Sequence, residues 1–192
     1  MEFGLIKGTL DSNKFVPISE NEFNSIKSSR ESLHHWLSVE EKFDLLIENF
    51  LEWETAMLEA SARLMVAGFP QFDPSQQERL TLNRRLMNFL SSARTYIDQS
   101  KRHVARILET GSIKSLDSEA LFSHEYDARL GYRVSEALRN YVQHYGFPVH
   151  LVKFGSEREP SGDAFLIRYS VSAIPPRVRI DVVPNFSSIF GG

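Results

Sequence analysis

Three polar residues near the end of a predicted helix have the chemistry to hold and cleave a phosphodiester: Arg139, Asn140 and His144. A guanidinium binds phosphate oxygens in a fork and stabilises charge that develops on phosphorus. An imidazole titrates near neutral pH, which suits general acid or base catalysis. Asn140 lies about one helical turn before His144, so its amide could orient the imidazole or contact a phosphate. Arg139 and His144 lie about 140° apart around a helix, so they would flank a groove rather than share one face.

The spacing of Arg139 and His144 is not specific by itself, because the chain contains it twice. Arg30 and His35 have the same separation. Their contexts differ, since Arg30 is followed by Glu31 in a short predicted helix, whereas Arg139 is followed by an uncharged polar residue near a helix end. The alternative for the second match is an ordinary helix end, where a histidine favours the helix dipole and an arginine pairs with a nearby acid.

The helix that carries the three residues is predicted to begin at Ser118, after a connection at residues 112–116. Apolar side chains recur along it at spacings of four and three, which is typical of an amphipathic helix. They are Phe122, Tyr126, Leu130, Val134, Leu138, Tyr141 and Val142. Gly146 occupies the position of a left-handed C-cap and Pro148 that of a stop, so the three residues lie in the last two turns.

Two helices are predicted in the first third of the chain. Ser19 caps the first, which runs to about Trp36. Ser38 begins the second, where Glu41 completes a capping box, and Gly68 ends it. The break between them rests on the second capping signal.

A third helix is predicted from Pro74 to Gly111, with the proline in its first turn. Its apolar stripe has a nearly heptad period. The stripe consists of Leu86, Leu90, Ala93, Ile97, Ser100, Val104 and Ile107. Such a helix is about 50 Å long, too long for a small globule unless it kinks or packs against a partner. The stripe is therefore a candidate dimer surface.

Both ends of the chain are predicted to form β-structure. Residues 1–18 favour a hairpin, and apolar and polar residues alternate after Pro148. The later predictions are strands at 165–172 and 178–182, an exposed loop at 157–163 and a loose tail from 185.

The predicted fold class is mainly α, an up-and-down bundle of four main helices over residues 20–148. An N-terminal β segment (1–19) precedes it and a C-terminal β extension (149–192) follows it. The two β segments are expected to pair into one small antiparallel sheet packed on the bundle.

The composition of the 192 residues is that of a globular protein, with 42% hydrophobic and 24% charged residues. There is no cysteine, which excludes disulfides and thiol chemistry and fits a reducing cytoplasm, the expected location. No apolar run approaches the ~20 residues that span a bilayer, and the N-terminus lacks a secretory signal. A membrane is therefore not an expected partner.

Motifs for metals and nucleotides are absent. No nucleotide-binding glycine loop, Gly-x-Ser-x-Gly elbow or His-Glu-x-x-His occurs. His34 and His35 are adjacent and would point about 100° apart on a helix, while His103, His124 and His150 stand alone in the sequence. No metal or other cofactor is expected.

The charge is unevenly placed although the net charge is only −3. Residues 31–60 contain eight acids and one lysine, and residues 73–110 contain seven bases and four acids. The second segment could contact a phosphate backbone, with Arg94, Lys101 and Arg102 as candidates. The alternative is a solvated basic helix surface and an acidic helix that pairs with it.

The segment Leu138–His144, followed one residue later by Gly-Phe-Pro, resembles the hallmark of the HEPN superfamily. That motif is an arginine, a polar residue and, a few residues later, a histidine near the end of the last core helix of a four- to five-helix bundle. The resemblance covers residues 20–148, and the terminal β segments lie outside the minimal family core.

The resemblance implies a metal-independent endoribonuclease that acts as a toxin or antiviral-defence effector. In such nucleases two protomers pair and their motifs meet across the interface. The RNA 2′-hydroxyl attacks its own phosphate and leaves a 2′,3′-cyclic phosphate and a 5′-hydroxyl. The catalytic residues would be Arg139, Asn140 and His144, and the partners would be RNA, a second copy and an antitoxin or sensor.

Two other functions are compatible with the sequence. The chain could be a catalytically inactive HEPN domain that dimerises or binds RNA or another partner. It could also be a structural all-α subunit without RNA contact.

Overall fold

The computed structural model of the chain describes residues 2–9, 12–70, 72–110, 118–161 and 164–177. As predicted, these residues are mainly helical with short strands at both ends. The helices are α1 (Glu20–Ala67), α2 (Phe72–Thr110), α3 (Ser118–Ala128) and α4 (Leu130–His144). The strands are β1 (Phe3–Thr9), β2 (Ser12–Ile18), β3 (Leu151–Ser161) and β4 (Ala164–Ile174). None of the described helices is both long and apolar enough to cross a membrane.

Helix α1 is a single helix of 48 residues, about 70 Å long at the usual rise. The predicted cap is confirmed, since the Ser19 hydroxyl accepts from the Glu22 amide and the Glu22 carboxylate accepts from the Ser19 amide. The predicted end at Gly68 is also confirmed, with a φ of 78° that favours glycine. The predicted break near Ser38 is wrong, because no glycine or proline interrupts residues 20–67 and the Ser38 carbonyl accepts from Lys42 within the helix.

Helices α1 and α2 form a long antiparallel arm. Aromatic pairs set its register, with ring centroids 5.7 Å apart for Phe43 and Tyr96 and 5.6 Å apart for Phe50 and Phe89. None of the apolar stripe of α2 from Leu86 to Val104 is exposed, and Leu90 and Ser100 are buried. The stripe therefore packs mostly against the rest of the chain, and its role as a dimer surface stays a prediction.

The predicted fourth helix is two helices. The chain becomes extended at Arg129, with φ −113° and ψ 109°, between α3 and α4. Arg133 is buried and donates to the Asp127 carbonyl oxygen at 2.6 Å, across that break. The rings of Tyr126 and Tyr132 also meet across it, 5.4 Å apart. These contacts stabilise a bend that the continuous apolar spacing conceals.

Two separate hairpins replace the single predicted sheet. β1 pairs with β2, β3 pairs with β4, and no described strand joins the two pairs. The hairpins lie at different places along α1, because Phe3 packs on Phe23 whereas β3 and β4 pack near Trp53. Those two positions on α1 are about 45 Å apart.

Strand β3 takes in most of the loop predicted at 157–163. Residues 157–161 belong to it rather than to a loop, since Glu157 lies opposite Arg168, and Arg168 forms an ion pair of 2.7 Å with Glu159. The predicted strand over 165–172 is confirmed as part of β4. The predictions for residues 112–116, 178–182 and the tail from 185 lie outside the described residues.

The core that fixes the end of α4 lies between the arm and the second hairpin. Its buried apolar members are Ala56, Leu82, Val149 and Val152. Buried Asn83 of α2 accepts from the Val149 amide at 2.8 Å and donates to the Val149 carbonyl at 3.0 Å. Since Val149 follows α4 by five residues, this pair of hydrogen bonds anchors the chain leaving the helix.

Candidate functional site

Arg139 lies in a cleft between α2 and α4. The cleft has a volume of about 300 Å³, and Arg139 and Gln143 line it from α4. Arg94, Asp98 and Arg102 line it from α2, one and two turns apart. The arrangement brings three guanidinium groups and one carboxylate together, so the cleft has a net positive charge.

The three guanidinium groups differ in how far they are neutralised. Arg94 donates to Asp98 at 2.7 Å and to Glu136 at 3.1 Å. Burial opposes its charge, but the carboxylates of Glu136 and Asp98 outweigh burial and raise the pKa of Arg94 above its usual range. Arg102 donates only to the Asp98 carbonyl, at 3.3 Å, and neither it nor Arg139 forms an ion pair within the described part of the chain. These two charges remain available for an anion.

Asn140 contacts Arg139 rather than His144. Its side-chain oxygen accepts from Arg139 Nη1 at 3.2 Å. No hydrogen bond joins Asn140 to His144 in the described chain. Asn140 therefore holds the guanidinium at the cleft and does not orient the imidazole within one copy.

His144 is the last residue of α4 and is exposed. Its ring lies 6.3 Å from that of Tyr145, nearly perpendicular to it. The cleft lining includes Gln143 and Arg139 but not His144, which agrees with the predicted separation around the helix. One copy of the chain thus presents the guanidinium in a cleft and the imidazole outside it.

The end of α4 differs from the predicted cap. Tyr145, with φ −130°, is the C-cap residue, and its amide donates to the Tyr141 carbonyl at 2.8 Å. Gly68 is the only described glycine with positive φ, so Gly146 is not a left-handed cap. Pro148 lies four residues beyond the last helical residue and is buried beside the residue that Asn83 anchors. Tertiary hydrogen bonds, rather than a glycine cap, fix this end of the helix.

The imidazole of His150 also lies at this end of α4, and the sequence did not indicate that position. His150 Nε2 is 2.9 Å from the Tyr141 hydroxyl oxygen, and the Tyr141 ring stacks on Tyr145 at 5.5 Å. His150 lies here because the chain reverses after His144 to enter β3. Pro148 indicated in the sequence that the helix would end near it. It did not indicate that the side chain of His150 would contact the helix again.

The predicted RNA contacts separate into two places. Arg94 and Arg102 line the cleft of Arg139. Lys101 instead faces α3, with its Nζ atom 5.2 Å from the centroid of the Phe122 ring, a cation–π arrangement. Lys101 therefore contributes less directly to the cleft than its neighbours in sequence.

The other Arg–His match, in α1, is used for contacts inside the chain. Arg30 Nε lies 3.4 Å from His34 Nε2, and His35 Nδ1 lies 3.3 Å from His103 Nδ1 of α2. Burial lowers the pKa of His103, and the charge of Lys42 lowers it further. This imidazole pair belongs to the α1–α2 seam.

Within the described residues, no group of three or more histidine, aspartate or glutamate side chains could hold a metal ion. Comparison with protein-family models, curated proteins and solved structures finds no match to this chain. The α2–α4 cleft and the residues at the end of α4 are therefore the basis for a functional assignment.

Proposed function

We propose that the chain is a metal-independent endoribonuclease of HEPN type, a toxin or defence effector whose active site is completed by a second copy. The observation that carries the proposal is the cleft that Arg94 and Arg102 of α2 share with Arg139 of α4, the helix that ends in His144. Guanidinium groups held in a cleft are suited to bind phosphate oxygens in a fork.

The reaction needs a phosphate clamp and two proton transfers. Arg139 and Arg102 bind the non-bridging oxygens and stabilise the charge that builds on phosphorus. The 2′-oxygen forms a bond to phosphorus after losing its proton to a base, and the bond from phosphorus to the 5′-oxygen breaks as an acid protonates that oxygen. His144 takes one of these two roles. The products are a 2′,3′-cyclic phosphate and a 5′-hydroxyl.

A second copy accounts for the position of His144. The imidazole is exposed, and it does not line the cleft of its own chain. In a two-fold dimer each His144 can approach the cleft of the other copy, giving two equivalent composite sites. Asn140 keeps each Arg139 in place through the hydrogen bond at 3.2 Å.

The proposal is tested by incubating the full chain with end-labelled single-stranded RNA in excess EDTA. Cleavage to 2′,3′-cyclic phosphate and 5′-hydroxyl ends is expected, and DNA of the same sequence is expected to remain intact because it lacks the 2′-hydroxyl. Absence of cleavage across varied RNAs, or cleavage that EDTA abolishes, contradicts the proposal.

A second candidate is a catalytically inactive HEPN-type module that binds RNA. It is favoured by the double ion pair of Arg94 and by the separation of Arg139 from His144 within one copy. This candidate predicts RNA binding that Arg139→Ala weakens and no cleavage under any condition. Binding and cleavage assays on the same RNA distinguish the two functions.

A further inference from the structure

Helix α1 carries a heptad repeat of apolar and acidic residues, which we name the outer seam. Its members follow alternating spacings of four and three along the helix. They are Leu33, Leu37, Glu40, Asp44, Ile47, Leu51, Glu54 and Leu58. Such a repeat is the pattern by which one helix packs along another.

Most of the outer seam lies on the side of α1 away from α2. The residues that pack toward α2 and the second hairpin include His35, Trp53 and Ala56, and each is two positions beyond a member of the outer seam, about 200° around the helix. Ile47 and Leu51 lie at the border, because each lines a groove together with residues of α2. All members of the outer seam are nevertheless exposed to solvent.

The apolar members of the outer seam leave much of their surface exposed to solvent. Leu33 is 68% exposed, Leu37 53%, Leu51 48% and Leu58 70%. The four share one face over seven turns of the helix, with three acids and Ile47 between them on the same face. A stripe of this kind marks an interaction surface.

The charges of the outer seam indicate what covers it. Glu40, Asp44 and Glu54 are exposed, and none of them forms an ion pair with another described residue. A parallel second copy would set each acid against itself. An antiparallel copy with Ile47 opposite itself would set Glu40 against Glu54. Like charges at a helix–helix seam are unfavourable, so the seam is a poor match for itself.

We propose that the outer seam binds a helix of another protein, with leucine or isoleucine opposite the apolar members and lysine or arginine opposite the three acids. The apolar positions supply the buried area and the acids select the partner and its register. This surface is separate from the α2–α4 cleft, so the inference does not depend on the ribonuclease proposal.

Two synthetic helical peptides test the inference by fluorescence anisotropy with the full chain. Both carry leucine and isoleucine at the positions facing the apolar members. One carries lysine and the other glutamate at the positions facing the acids. The lysine peptide is expected to bind at least tenfold more tightly, and the triple variant Glu40→Lys, Asp44→Lys, Glu54→Lys is expected to reverse the preference.

A matched pair of variants locates the binding. Leu51→Asp in the outer seam is expected to weaken the lysine peptide at least tenfold. Leu45→Asp, at a residue that is 51% exposed but lies outside the seam, is expected to leave binding unchanged. Circular dichroism checks that both variants fold.

Three results overturn the inference. They are equal binding of the two peptides, no binding of either, and an undiminished affinity in Leu51→Asp. Sedimentation of the chain alone is a further test, because a dimer that Leu51→Asp dissociates shows that a second copy covers the seam.

Discussion

The chain contains an arginine and a histidine at the same separation in two helices, and the two matches have different surroundings. In α1, Arg30 lies against His34, and His35 lies against His103 of the neighbouring helix. In α4, Arg139 lines a cleft with two further arginines. The comparison shows that the neighbouring helix, rather than the spacing, decides which groups surround such a pair.

The two regions also differ in what fixes them. The α1 pair is fixed by the packing of two long helices along their seam. The end of α4 is fixed by a small buried core and by the two hydrogen bonds between the buried Asn83 amide and Val149. A site placed there can be disturbed by a substitution on α2 that touches neither arginine nor histidine.

The largest expected effect is a loss of RNA cleavage on substitution of the α4 arginine and histidine but not of those in α1. Arg139→Ala and His144→Ala are each expected to reduce RNA cleavage by about 100-fold or more, since each removes a phosphate clamp or a proton-transfer group. Arg30→Ala and His35→Asn are the matched controls at the same spacing and are expected to retain cleavage. Equal losses in both pairs would show that the α4 match has no special role.

The next effect concerns the anchor of α4. Asn83→Ala leaves the buried amide and carbonyl of Val149 without partners and is expected to lower the free energy of unfolding by about 2–4 kcal/mol. Urea denaturation measures this loss.

Asn49→Ala is the control for the anchor, because Asn49 donates at 2.8 Å to the Leu45 carbonyl of its own helix rather than across elements. Its effect is expected to stay below about 1 kcal/mol. Similar losses in the two variants would mean that the Asn83 bonds are not an anchor.

A smaller effect ranks the arginines of the cleft. Arg102→Ala is expected to weaken RNA binding about fivefold and to reduce the slope of log K against log salt by about 1, because it removes one phosphate contact. Lys101→Ala, one residue away but facing Phe122, is expected to change both quantities less. Measuring RNA affinity against salt concentration for both variants tests this ranking. A larger effect of Lys101→Ala would indicate that RNA binds nearer to α3.

The smallest effect tests the structural role of the α1 match. Positive charge from Lys42 and His35 on α1 and from Arg106 and Arg102 on α2 adds to burial in lowering the pKa of His103. The unfolded chain then binds more protons at this site, so stability is retained above the ordinary value of 6.5 and falls as the pH drops below it. His103→Asn is expected to flatten that fall in urea denaturation between pH 7 and 5. An unchanged pH dependence would show that the lowered pKa of His103 does not contribute to stability.

Local signals explain which parts of the fold the sequence predicted. The capping box at Ser19 and the glycine at the end of α1 act within one turn, so both predictions hold. The same capping pattern at Ser38 lies inside the helix, because no residue there opposes helix formation and α2 packs alongside. A capping signal marks a real helix end only where the residues before it cannot themselves be helical.

The cleft depends on contacts between residues distant in sequence. Arg94 meets Glu136 across 42 positions, and Asn83 meets Val149 across 66. Periodicity placed Arg139 and His144 near the end of a helix but did not indicate which residues of α2 would face them. The sequence did not predict the bend at Arg129, because the apolar spacing continues through it. The bend is stabilised by a hydrogen bond of the buried Arg133, which periodicity does not indicate.

The most direct test of the central claim mixes two inactive variants. Arg139→Ala and His144→Ala are purified separately, combined under conditions that exchange subunits, and assayed on the same RNA in EDTA. If Arg139 of one copy acts with His144 of the other, mixed dimers contain one intact site, and about a quarter of the wild-type activity is expected. If cleavage by the wild type is robust and the mixture stays as inactive as its components, the site is not shared between two copies.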